Sequence, residues 1–145
     1  MAQTVNPTRE DTFSVTVTVG SWNTGVWDKK SGGELDSDDG IYYPGAMGPQ
    51  IALGGRRKPG NITVSRLYRL QRDHDTIQRL LDAVGKQLVT VKQQPLDIDG
   101  NAYGAPIVMN CRLKKVTPPT HDSSSSNAAM IELELVQNSD PTLGG

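Results

Sequence analysis

The chain has one cysteine, Cys111, in 145 residues. That excludes an internal disulfide framework and fits a reducing compartment. Aromatic residues make up 5% of the chain, with a single Phe, and hydrophobic residues only 35%. A core can form, but it is lean, so part of the stability is expected to come from assembly. No apolar run approaches the roughly 20 residues that span a bilayer, and no apolar signal-peptide core follows Met1. A protein made in the cytosol and not in a membrane is expected. Neither sign of charge dominates. The net charge of −1 gives no bulk attraction to nucleic acid or to an anionic membrane.

What the chain does have is turn chemistry. Fifteen Gly and nine Pro punctuate a length that suits one domain. Residues 1–11 read as a polar arm. Phe13, Val15, Val17 and Val19 alternate with polar residues, which predicts a strand with one apolar face. Trp22 and Trp27 flank Asn23-Thr24-Gly25, read as a tight turn. Residues 28–40 form a polar, Gly-rich loop. Residues 61–70 read as a strand with Ile62, Val64 and Tyr68 on one side. The one predicted helix spans 73–84, capped by Asp73, favoured by Asp75 and stopped at Gly85, with Ile77, Leu80, Leu81 and Val84 on its packed face. Strand character resumes at 88–93. Asp99-Gly100 marks a hairpin turn, and 107–116 and 130–136 alternate again around a Ser-rich loop. Residues 138–145 read as a flexible tail. The fold class is all-β with one ancillary helix, closed as a small barrel or sandwich.

Chemical motifs are sparse. His74 lies between Asp73 and Asp75, but neighbouring helical residues do not converge on one point, and His121 sits in the Ser-rich loop. Cys111 alternates with Ile107, Met109 and Leu113, as a buried thiol would. Asp36-Ser37-Asp38-Asp39-Gly40 has its glycine one position early for a calcium loop and Met47 in place of the closing Glu. Gly55 to Gly60 has P-loop glycine spacing, but Asn61-Ile62 replaces the Lys-Ser/Thr pair and a strand follows it. No catalytic residue, metal ligand or cofactor site is expected, and an enzyme is not expected.

Charge is unevenly distributed. Residues 28–39 hold five acids (Asp28, Glu34, Asp36, Asp38, Asp39) against two lysines. Residues 56–72 hold six bases and no acid, beginning with Arg56, Arg57 and Lys58. Opposed patches of this kind suit self-association.

The order Trp27-Asp28-Lys29-Lys30-Ser31-Gly32-Gly33-Glu34, then Tyr43-Pro44-Gly45-Ala46-Met47-Gly48-Pro49, then residues 54–66, resembles the major tail tube proteins of tailed bacteriophages, a family related to the tube proteins of contractile injection systems. The resemblance spans about residues 13–136. It implies a small β-barrel or sandwich with one helix and a long inter-subunit loop. It also implies stacked hexameric rings, a hollow tube that conducts DNA without sequence preference, and contact with sheath or tape-measure proteins. The location implied is a virion tail assembled in the host cytoplasm. On this reading residues 28–40 order against another subunit, and the acidic loop meets Arg56-Arg57-Lys58 across subunits. Strands 107–116 and 130–136 pair with Arg112 beside Glu134 and Lys114 beside Glu132. Asn110, Arg112, Lys114, Glu132 and Glu134 are the candidate channel wall. An alternative reading is a carbohydrate- or peptide-binding module built on Trp22, Trp27, Tyr42 and Tyr43.

Overall fold

The computed structural model describes residues 9, 11–37 and 39–144. The N-terminal arm therefore lies almost wholly outside the described residues, and so does Asp38. The described residues form twelve strands in chain order: β1 (Phe13–Val19), β2 (Trp22–Trp27), β3 (Lys29–Gly32), β4 (Leu35–Ser37), β5 (Gly40–Tyr42), β6 (Ile51–Leu53), β7 (Arg57–Pro59), β8 (Ile62–Leu67), β9 (Leu88–Pro95), β10 (Ile107–Thr117), β11 (Met130–Gln137) and β12 (Thr142–Leu143). Between β8 and β9 lie one π-helical turn, Leu70–His74, and one helix, α1, Ile77–Ala83.

Eight strands form one antiparallel sheet in the order β2-β1-β9-β10-β11-β8-β3, with β12 added beside β10. The sheet curls into a half-barrel. Its two edges, β2 and β3, are neighbours in sequence, separated only by Asp28. The backbone changes partner at that residue, from β1 on one side to β8 on the other. Asp28 anchors the corner: its N–H donates to Ser65 O and its carboxylate accepts Leu67 N–H, both at 3.1 Å.

Alternation decides the inner face. Val15, Val17 and Val19 of β1 meet Val89 and Val91 of β9. Met109, Cys111 and Leu113 of β10 continue the layer to Ile131, Leu133 and Leu135 of β11, then to Ile62 and Val64 of β8. Full burial of each such side chain is worth about 1.5–3 kcal/mol. Leu80 and Ala83 of α1 cover this layer.

Several local expectations are corrected. Asn23-Thr24-Gly25 lies inside β2, and the reversal is at Gly20, whose φ of +60° suits a tight turn. The helix starts at Ile77 rather than 73, because the Asp73 carboxylate is committed to Arg66, which is buried, and to Arg72, and the chain makes a π turn there. The helix therefore presents Ala83 to the core and leaves Leu81 exposed. Within the predicted tail, Thr142 and Leu143 ladder with Val108 and Ile107.

β10 and β11 are antiparallel neighbours, as their alternation implies. The register differs. Arg112 lies beside Val136, and a bulge at Lys114 puts Lys115 beside Glu134 and Thr117 beside Glu132. Lys114 still reaches Glu134, Nζ to Oε1 3.5 Å. A bulge inserts one residue into one strand, and sequence alternation alone does not place it.

Candidate assembly surfaces

Of residues 28–40, 29–32 form β3 in the barrel sheet, while 35–37 form β4 and 40 opens β5 on one side of a β-arm. β4 pairs with β7 and β5 with β6, so the arm extends the β3–β8 ladder away from the barrel. Its base is a glycine joint. Gly32 and Gly33 have φ of +81° and +87°, and a Cβ on Gly32 would collide with the Asn61 carbonyl oxygen. Gly33 N–H donates to Asn61 O at 3.1 Å, and Gly60 N–H to Glu34 O at 2.7 Å. Gln137 Nε2 ties the joint to the barrel through Gly60 O at 2.8 Å.

The acidic and basic stretches meet within the chain. Asp36 lies beside Lys58 and Ser37 beside Arg57 across the β4–β7 ladder. Arg57 also pairs with Asp140 at 3.0 Å, and Asp39 accepts Ser37 Oγ and Gly55 N–H. Asp28 is engaged at the barrel corner, Glu34 lies at the glycine joint, and Arg56 is exposed just before β7.

Toward its tip the arm becomes apolar. Ile41, Tyr42, Tyr43, Met47, Ile51 and Leu53 are all about half exposed or more, and Met47 is fully exposed. Ala46 and Met47 both hold φ of +60°, a conformation non-glycine residues rarely keep without function. A two-stranded ribbon is marginal alone, and so much exposed apolar surface marks an interaction site.

The second surface is the polar face of the half-barrel. Register places Ser14, Thr16 and Thr18 of β1 against Gln94, Lys92 and Thr90 of β9. Thr90 and Lys92 lie beside Asn110 and Val108 of β10. Glu134 and Glu132 are followed by Thr63 and Ser65 of β8, then by Ser31 and Lys29 of β3. Asn110, Arg112, Lys114, Glu132 and Glu134 thus share this face, opposite the core. It carries hydroxyl rows, scattered charge and no aromatic residue.

Inside the barrel is a buried node that sequence reasoning missed. Arg66 is the third residue of the alternating inward set Ile62, Val64, Arg66, and it is 2% exposed. Its Nη1 donates to Thr24 O at 2.6 Å, lacing β8 to the edge strand β2. Its Nη2 donates to Asp73 Oδ1 at 2.7 Å, and the guanidinium lies 4.2 Å from the Trp27 ring centroid. Trp27 Nε1 donates to Thr24 Oγ1, which donates to Val17 O. Asp73 is fully buried. Burial alone would raise its pKa, but bonds from Arg72 and the Arg69 N–H, with the charges of Arg66 and Arg72, hold it below the ordinary carboxylate value. The inward periodicity of β8 was the available signal for this node.

The node also removes the aromatic-platform reading. Trp27 is buried, Trp22 is half-buried beneath Arg79, and Tyr42 and Tyr43 lie apart on the arm. His74 Nδ1 lies 2.8 Å from Tyr68 Oη. Among the described residues no group of three or more His, Cys, Asp or Glu could hold a metal ion, and no helix is long and apolar enough to cross a membrane. Burial raises the Cys111 thiol to about 11. Cys111 is expected to react with a thiol reagent only as the barrel unfolds in urea. Stoichiometric labelling of native protein within seconds would show the core to be open.

No family model and no curated protein matches the chain. Solved structures do match, over more than nine-tenths of both chains. A chain of the anti-feeding prophage cap, its tube-terminating cap, superposes with TM-score 0.76 at 18% identity, covering 99% of this chain and 95% of the other. A chain of the anti-feeding prophage baseplate gives 0.69 at 15% identity, covering 100% and 98%. A chain of the PVC sheath–tube complex, an extracellular contractile injection system in the extended state, gives 0.62 at 21%, covering 95% and 93%. The fold is that of tube-related proteins of contractile injection systems.

Proposed function

We propose that this chain is a structural subunit of a tail tube, forming hexameric rings that stack into a hollow conduit. The observation that carries the reading is the arm: an ordered ribbon with an apolar, strained tip, on a fold shared with parts of tube, cap and baseplate particles. In a ring each subunit's arm seats on a neighbour, burying Ile41, Tyr42, Met47, Ile51 and Leu53. The expected inter-subunit contacts of Asp28, Glu34, Asp36, Asp38, Asp39, Arg56, Arg57 and Lys58 belong to this same reading. The polar face with Asn110, Arg112, Lys114, Glu132 and Glu134 lines the channel, through which DNA passes. Sheath and tape-measure proteins are the partners outside and inside, and the assembled tube belongs to a tail built in the host cytoplasm.

Electron microscopy of the purified protein tests this. Rings or hollow filaments with sixfold symmetry are expected at high concentration. A protein that stays monomeric across the concentration range, with no ring or tube, would overturn the assignment.

A further inference from the structure

The polar face is not balanced in charge. Its strands carry Lys29, Lys92, Arg112, Lys114 and Lys115 against Glu132 and Glu134. That surplus of three positive charges stands on a chain whose net charge is −1, which leaves ten bases against fourteen acids elsewhere. The bulge is one cause. By inserting Lys114 it sets two lysines, both exposed, against the single Glu134.

We infer that this face is a binding surface for a nucleic-acid duplex, held through its phosphates without reading of bases. Three features select this partner. The bases are spread over strands β3, β9 and β10, matching an extended line of charge rather than one anionic group. Between them run hydroxyls, Ser14, Thr16, Thr18, Thr63, Ser65 and Thr90, which donate to phosphate oxygens as such side chains do on duplex backbones. The face has no aromatic side chain, so the stacking that holds single strands is missing. The location of this surface on a channel wall rests on the tube reading. The binding itself does not.

Fluorescence anisotropy of a labelled 30-base-pair duplex against the soluble subunit tests this. About three phosphates neutralised predicts roughly a 40-fold loss of affinity between 50 and 200 mM salt. Lys115→Glu should weaken binding, and the triple variant Arg112→Glu/Lys114→Glu/Lys115→Glu should abolish it. Lys86→Glu, on the exposed turn after α1, changes net charge equally and should leave affinity within about twofold of wild type. Unchanged circular dichroism keeps the comparison among folded proteins. The milder Arg112→Gln/Lys115→Gln should weaken binding if the triple variant does not fold. Equal losses for Lys86→Glu and Lys115→Glu, no salt dependence, or binding of poly-L-glutamate in preference to the duplex would each overturn the inference. Micrographs of the same variants read assembly separately, so loss of tubes and loss of duplex binding are told apart.

Discussion

Asp73→Ala will destabilise the fold by about 3–5 kcal/mol, measured by urea unfolding at pH 7, because it leaves Arg66 charged, buried and without its partner. Arg66 is 2% exposed and Asp73 0%. The double replacement Arg66→Met/Asp73→Leu removes both charges and should recover most of the loss, although it also removes the Arg66 bond to Thr24 O. Equal instability of the double and single variants would place the stabilisation in that strand-to-strand bond rather than in the ion pair. The pH dependence follows in sign. The folded pKa of Asp73 lies below its ordinary value. Its contribution is therefore complete above the unfolded value of about 3.9 and is lost as pH falls through the folded pKa. Unfolding free energy of the wild type should fall below about pH 4 more steeply than that of the double variant. Parallel curves would show that Asp73 is not the linked group.

Removing the outer arm should have the opposite profile. Deletion of residues 40–53, rejoined by a short Gly-Ser turn, takes out β5, β6 and the tip but no core residue. The half-barrel should keep its melting temperature within a few degrees, while rings and tubes disappear from micrographs. A deletion variant that still forms tubes would leave the arm without an assembly role. Gly32→Ala is the subtler version. At φ +81°, with Asn61 O in the way, a side chain must distort the joint. A cost of about 1–3 kcal/mol is expected with the arm re-aimed.

The barrel was legible because its strands bury one face. Val15-Val17-Val19 and Ile131-Leu133-Leu135 announce period two, and both spans match the structure to within a residue or two. The arm was not legible for the converse reason. Leu35-Asp36-Ser37 and Gly40-Ile41-Tyr42 bury neither face, so no alternation marks them, and only the backbone ladder makes them strands. Asp73 was misread because one residue type serves both as a helix cap and as a buried counter-ion. The deciding fact, Arg66 on the core side of β8, is tertiary. The outward set of β10 and β11 was legible from alternation, yet the neighbours across the two strands were not, because one inserted residue at Lys114 changed which side chains stand together.

The way the arm is rooted has a mechanical consequence. Both of its strands are joined to the barrel through the glycine joint, one to β3 and the other to β8. A tensile load applied at the tip travels along these strands rather than across them. The four paired positions between β3 and β8, and the six between β8 and β11, are then loaded in shear and must yield together instead of unzipping one at a time. The ribbon is compliant sideways at its glycines and stiff along its length. A column of such subunits would flex while resisting being pulled apart.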